Sequence, residues 1–261
     1  MTKIVAIPAF TDNYIWCVYD EDTKRAVVVD PGDAEPVLKA LDKLDLTLDA
    51  ILITHHHFDH TGGVDAILAK TSLDTPVYGP DNSNVKQITN TVRDGDKISV
   101  LTLSFSIIGV PGHTLDHIAY YGSNEMGRPL LFCGDTLFAG GCGRVFEGTH
   151  DMMHSSLSKL AVLPGETQVY CAHEYTLANL GFANAVEPQN DDLQLRVNRD
   201  KEKRSNGIPT VPSTIEAELL TNPFLRCEES HVIAAANRIS ESSCNNSVAV
   251  FSALRGWKDT F

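Results

Sequence analysis

Ala50-Ile51-Leu52-Ile53-Thr54-His55-His56-His57-Phe58-Asp59-His60-Thr61-Gly62-Gly63 decides how this chain reads. The apolar run Ala50–Ile53 reads as a buried strand, and Thr61-Gly62-Gly63 as a turn into a helix. Between them stand four imidazoles and a carboxylate. A strand end is where an open α/β sheet presents its ligands. On extended backbone, side chains two apart share a side, so His55 and His57 can grip one ion together while His56 points away. Asp59 and His60 come after the chain has begun to turn and point elsewhere. One ion cannot easily use all four groups, so the spacing suggests two neighbouring metals. An incidental histidine run would lack the interposed Asp, the strand before it and the glycines after it.

Three further segments repeat the form of an apolar run that ends in a ligand-type side chain. They are Ile107-Ile108-Gly109-Val110-Pro111-Gly112-His113, Leu131-Phe132-Cys133-Gly134-Asp135 and Val169-Tyr170-Cys171-Ala172-His173. Each puts a His or Asp just past a strand, where loops gather at one sheet edge. Singly, each is a weak signal. With the cluster they make five His and two Asp, the set that two ions sharing a bridging carboxylate would need.

The strands expected around these segments are Ile4–Ile7, Tyr14–Tyr19, Ala26–Val29, Ala50–Ile53, Val77–Tyr78, Ser99–Gly109, Ile118–Tyr121, Leu130–Cys133 and Gln168–Cys171. Helices are expected at Ala34–Leu44 behind the cap Asp33, at Val64–Lys70 and at His150–Leu160. Antiparallel meanders mixed with crossover helices imply two stacked sheets with helices outside. From Glu174 the character changes. Tyr175–Val186, Asp191–Ser205, Ser213–Leu220, Ser230–Ile239 and Ser247–Trp257 read as helices, and nothing there reads as a strand. The fold class is therefore α/β (α+β): residues 1–172 are expected to form a sandwich and residues 173–261 a small helical domain.

Composition narrows the partners. The 261 residues carry a formal net charge of −13, which disfavours nucleic acid and anionic membranes. No apolar stretch approaches the ~20 residues of a bilayer span. Met1-Thr2-Lys3-Ile4 leads straight into structured-looking sequence without a signal-peptide h-region, so a cytoplasmic protein is expected. Six cysteines without C-x-x-C spacing are then expected as reduced, half-buried thiols, with Cys133 in core packing.

The set His55-x-His57-x-Asp59-His60, His113, Asp135 and His173 resembles the five-part signature of the metallo-β-lactamase superfamily, an αββα sandwich with metals at one edge. The resemblance implies that His55, His57 and His113 hold one ion, that Asp59, His60 and His173 hold a second, and that Asp135 bridges them. Zinc is the first expectation for the two divalent ions, with iron or manganese also suited to these ligands. Asp30 in Val29-Asp30-Pro31-Gly32 matches the residue that orients a ligand; a plain turn-forming Asp is the other reading. His56 and His117 match no ligand, and Asp116 stands where many relatives have Gly.

Within the superfamily the chain is similar to the glyoxalase II family. The similarity rests on the Asp12-Asn13-Tyr14 opening, the loop Gly140-Gly141-Cys142-Gly143-Arg144-Val145-Phe146-Glu147-Gly148, Cys171-Ala172-His173-Glu174-Tyr175-Thr176, and the ending Leu254-Arg255-Gly256-Trp257-Lys258-Asp259-Thr260-Phe261. It implies hydrolysis of glutathione thioesters such as S-D-lactoylglutathione; in the mechanism that this chemistry suggests, Asp59 is the candidate for guiding the nucleophile's proton. It also implies substrate contacts from Arg144, Phe146, Tyr175, Arg255 and Lys258. Arg255 and Lys258, three apart on a terminal helix, share a face that suits a carboxylate, as an ordinary basic helix end would too. A glutathione-persulfide dioxygenase with one iron is the competing expectation. A monomer acting on a small molecule is expected.

Overall fold

The computed structural model describes residues 1–240 and 243–261. The chain packs as two compact units: Met1–Gly109 with Asp116–Gly134, and Val110–Leu115 with Asp135–Phe261.

The first unit opens on a sheet of β1 (Thr2–Ala9), β2 (Asn13–Asp20), β3 (Arg25–Val29), β4 (Thr47–Leu52), β5 (Val77–Pro80) and β6 (Asn90–Val92), hydrogen-bonded in that order. The first three strands are antiparallel neighbours, and β3 to β6 are parallel. Helix α1 (Ala34–Leu44) makes the crossover from β3 to β4. It is capped by Asp33, whose side chain accepts from the Glu35 amide, and ended by the left-handed Asp45. The short α2 (Phe58–Thr61) and then α3 (Val64–Lys70) follow β4.

Val37 and Leu41 of α1 and Val64 and Ile67 of α3 pack with Ile7, Cys17, Val28 and Ile51 in one core cluster. The alternate residues Val18, Val27, Val29 and Leu52 are buried as well. Burial on both faces is why β3 and β4 read as continuous apolar runs rather than alternating ones. Four more antiparallel strands, β7 (Lys97–Val100), β8 (Leu103–Gly109), β9 (Ile118–Ser123) and β10 (Pro129–Gly134), bring Phe105, Tyr120 and Phe132 together. The buried Tyr120 hydroxyl donates to the Ile53 carbonyl at 2.9 Å, tying these strands to the end of β4.

Two expectations need correction. Ser99–Gly109 is not one strand: Leu101, at φ 52°, turns the chain back so that Val100 pairs with Leu103 in a hairpin. Ser213 and Thr214 do not start a helix but form a strand paired with Val169 and Gln168. Thr214 then caps the helix that begins at Ile215 by accepting from the Ala217 amide.

The second unit contains the hairpin β11 (Leu137–Phe138) and β12 (Gly141–Cys142), α4 (His150–Ala161), β13 (Gln168–Cys171), α5 (Thr176–Val186) and α6 (Asp191–Ser205). After them come β14 (Ser213–Thr214), α7 (Ile215–Thr221), a 3₁₀ turn at Pro223–Leu225, α8 (Ser230–Ile239) and α9 (Ser247–Thr260). Thr149, Asn190 and Asn246 supply side-chain caps to α4, α6 and α9. Phe182, Phe224, Phe251 and Trp257 stack through the helical part with centroid separations of 5.2–5.8 Å. All six cysteines are free, and five are buried. Burial holds the Cys17 and Cys171 thiols up at about 12, so these are packing groups, not nucleophiles.

Candidate functional site

In the first unit, the backbone beyond β4 does what the spacing requires. His57 is the last extended residue before α2, so His55 and His57 fall on one side, with His55 Nε2 3.1 Å from His57 Nδ1. His55 is buried, and its ring lies 4.1 Å from that of His60. His56 points to Asp116, Nδ1 to Oδ1 2.9 Å, which gives the Asp116 side chain a use that glycine could not serve. His117 stacks on His55 at 4.5 Å and 14°, and holds its Nδ1 3.1 Å from the Ile118 carbonyl.

Asp30 organises this cluster. Its left-handed backbone (φ 53°) turns the carboxylate under Thr54, accepting from the Thr54 amide at 2.8 Å and hydroxyl at 2.7 Å. The same Oδ2 lies 3.0 Å from His60 Nδ1, which fixes the ring and leaves Nε2 as its ligand atom. Asp30 falls in one group with His55 and His60, but its oxygens are engaged by Thr54 and His60. That geometry suits an orienting partner better than a ligand. Gly32 is needed beneath it, because a Cβ there would sit 1.8 Å from the Asp59 carbonyl. The Asp59 side chain is 41% exposed, and its Oδ2 accepts from Asn13 Nδ2 at 3.0 Å. Asn13 belongs to the opening motif but carried no expected role.

In the second unit, His113 Nδ1 lies 2.8 Å from the Arg144 carbonyl, which leaves Nε2 facing Asp135 Oδ2 at 3.4 Å. His173 Nε2 stands 3.3 Å from the other oxygen, Asp135 Oδ1. One buried carboxylate thus presents an oxygen to each of two imidazoles. Gly143 allows it: a Cβ would meet the Asp135 carbonyl at 1.9 Å. Tyr175 stacks on His173 at 4.7 Å and 6°, with the Phe138 ring edge-on to both.

His113 and Asp135 also line a cavity of about 430 Å³ together with Arg144, Phe146, Tyr175, Arg255 and Lys258. All five residues expected to touch substrate therefore share one cavity. Arg255 is only 3% exposed. Its Nη1 donates to the Cys142 carbonyl at 3.0 Å, Nη2 donates to Asp259 at 3.0 Å, and the guanidinium lies over Phe224. A solvated helix end does not describe it. Lys258 is half-buried over the Phe182 and Phe261 rings. Burial, with Arg255 next in effect, holds its ammonium below the ordinary lysine value.

Sequence reasoning missed what supports this cavity. Buried Glu218 accepts from the Gly140 amide at 2.8 Å and from Asn222 Nδ2 at 3.0 Å, and pairs with buried Arg196 at 2.6 Å. Asn222 donates on to the Gly141 carbonyl at 2.9 Å, and Asn179 to the Ala139 carbonyl at 3.2 Å. These side chains fasten the β11–β12 hairpin, whose Phe138 and Cys142 line the cavity. Glu218 lies in a helix with no motif around it, so no sequence signal marked it.

The chain resembles known proteins along its whole length. Residues 11–173 match the model of the metallo-beta-lactamase superfamily, and residues 174–261 match that of the hydroxyacylglutathione hydrolase C-terminus. The chain is 54% identical to a hydroxyacylglutathione hydrolase of Ectopseudomonas mendocina over 100% of both chains, and 50% identical to one of Hahella chejuensis, again over 100% of both. Among solved structures, that of ETHE1 from Myxococcus xanthus matches with a TM-score of 0.65 at 26% identity, covering 100% of this chain and 99% of that one. The fold is thus the mixed α/β metallo-β-lactamase fold with a helical C-terminal part, and its His and Asp groups are of the kind that suits a divalent metal. The chain belongs to the hydroxyacylglutathione hydrolase family.

Proposed function

We propose that the protein hydrolyses S-(2-hydroxyacyl)glutathione thioesters, with S-D-lactoylglutathione giving D-lactate and glutathione, the second step of methylglyoxal detoxification. The observation that carries this reading is the cavity that combines His113 and Asp135 with three cationic side chains. Glutathione is an anion with two carboxylates, and a chain of net charge −13 must concentrate cations locally to hold it. In this proposal residues 1–172 supply the metal-bearing sandwich and residues 173–261 the glutathione-binding domain.

The donor set fits two divalent ions per chain. His60 keeps Nε2 toward Asp59, and His113 and His173 keep theirs toward the two oxygens of Asp135, a pairing of neutral-type donors with carboxylates that suits metal ions. His55, His57 and His113 are assigned to one ion, and Asp59, His60 and His173 to the other, with Asp135 shared. Zinc is the first choice, and iron or manganese would suit the same donors. Such a pair, when bound, supplies Lewis acidity and a water acidified to near neutrality.

The chain's own groups do the rest. Asp59, which accepts from Asn13 at 3.0 Å, is assigned to guide the proton of the attacking water. Arg144, Arg255 and Lys258 hold the carboxylates of the tripeptide, and Phe146 and Tyr175 flank its backbone. The leaving thiolate, with a pKa of about 8.5, departs without a strong acid, so none is needed. Buried, free thiols agree with a reducing cytoplasm. The competing dioxygenase reading is not favoured: full-length relatives near 50% identity are hydroxyacylglutathione hydrolases, whereas the ETHE1 match is at 26%. Loss of thioester absorbance with S-D-lactoylglutathione, alongside elemental analysis, tests the proposal. Turnover with close to two metals per chain is expected; a metal-replete chain without turnover contradicts it.

A further inference from the structure

The cation cluster in the cavity is not left uncompensated. Asp259, next to Lys258 on the last turn of α9, accepts from Arg255 Nη2 at 3.0 Å and lies 3.4 Å from Arg144 Nε. Its side chain is 40% exposed, so it bridges the two guanidinium groups at the rim rather than beneath them. Arg255 does not need it for placement. That side chain is nearly buried, held at Nη1 by the Cys142 carbonyl and lying over the Phe224 ring. Arg144 is 61% exposed and has room to turn toward a ligand.

We propose that Asp259 is an affinity-limiting residue: an internal carboxylate that takes up part of the arginine charge a bound tripeptide would otherwise use. The inference rests on the glutathione reading of the cavity. Substrate and product carry the same two carboxylates, so every cation that grips the thioester also retains the released tripeptide. A fixed negative charge beside the pair weakens both and speeds release, since interactions made equally with substrate and product do not accelerate the chemical step. Like charges about 6 Å apart at the partly screened surface of a protein repel enough to change affinity by roughly tenfold. Salt should shrink that effect, because the groups reach solvent.

The test is calorimetric binding of S-methylglutathione, which keeps both carboxylates but has no free thiol to ligate the metals. Wild-type full-length protein is compared with Asp259→Asn and Asp259→Ala at low and high salt. Two variants guard against a new contact from the amide, and a surface side chain on the final helical turn is a mild site for folding. The expected result is binding about tenfold tighter in both variants at low salt, with the gap narrowing as salt rises. Equal or weaker binding in both overturns the inference, since Asp259 would then serve to order the arginines, while the cavity assignment stands. Failure of the wild-type chain to bind S-methylglutathione overturns the cavity assignment itself, and the inference with it.

Discussion

The two compact units carry their site residues in different ways, and the contrast explains what each can tolerate. In the first, His55, His57, Asp59 and His60 lie within six consecutive residues at a strand end, and local backbone alone sets their directions. One outside side chain, Asp30, then locks the cluster from below. In the second unit, His113, Asp135, Arg144, His173 and Arg255 come from distant points of the chain. A buried polar network fastens the β11–β12 hairpin among them. Local geometry is cheap to specify. Convergence needs packing, and packing can be broken far from any reacting atom.

The largest effect that would break this contrast comes from that network. Glu218→Ala strips buried Arg196 of its nearer carboxylate and leaves only Asp200 at 3.5 Å, which should cost up to about 3–5 kcal/mol of stability. Thermal unfolding should show a drop of roughly 2–4 °C per kcal/mol for a unit of this size. An unchanged melting temperature would mean the hairpin is held by something else. In the first unit, Asp30→Ala should weaken metal affinity by about 10–100-fold, read by chelator competition, because His60 loses the group that fixes its ring. If affinity holds, Asp30 is only a turn residue.

Two smaller effects sharpen the picture of the cavity. Lys258 titrates below an ordinary lysine, so raising the pH removes its charge early and the KM for an anionic substrate should climb in the alkaline range. Lys258→Arg should flatten that climb, since a guanidinium stays protonated. Phe146 is 62% exposed beside the His113 ring, and Phe146→Tyr would offer one more hydroxyl to the ligand. A gain of about 0.5–1.5 kcal/mol is expected, at most about a tenfold fall in KM.

The same contrast governs what could be read from sequence. The helices at 34–44 and 191–205 carry side-chain caps, Asp33 and Asn190, and their observed bounds, like those of 64–70 and 230–239, match those expected. The ligand spacing around His55 was legible because a two-residue repeat on extended backbone has one geometric meaning. The turn at Leu101 was not, since a left-handed leucine carries no Gly or Asn signal. Strand β6 at Asn90–Val92 and the pairing of Ser213 and Thr214 were missed because three and two polar-rich residues show no period. Glu218, Asn222 and Asp259 were missed for a tertiary reason: each matters only through a partner remote in sequence or a charge in a cavity.

The most direct test compares two thioesters of the same D-lactoyl group on the metal-loaded protein, one with glutathione and one with N-acetylcysteamine, which lacks both carboxylates. If Arg144, Arg255 and Lys258 hold the tripeptide, kcat/KM should favour the glutathione thioester by at least about 100-fold, two charge-assisted contacts being worth roughly 1.5–3 kcal/mol each. The preference should collapse in Arg255→Ala. Equal rates for the two thioesters would contradict the account, because the cations lining the cavity would then have no part in choosing the substrate.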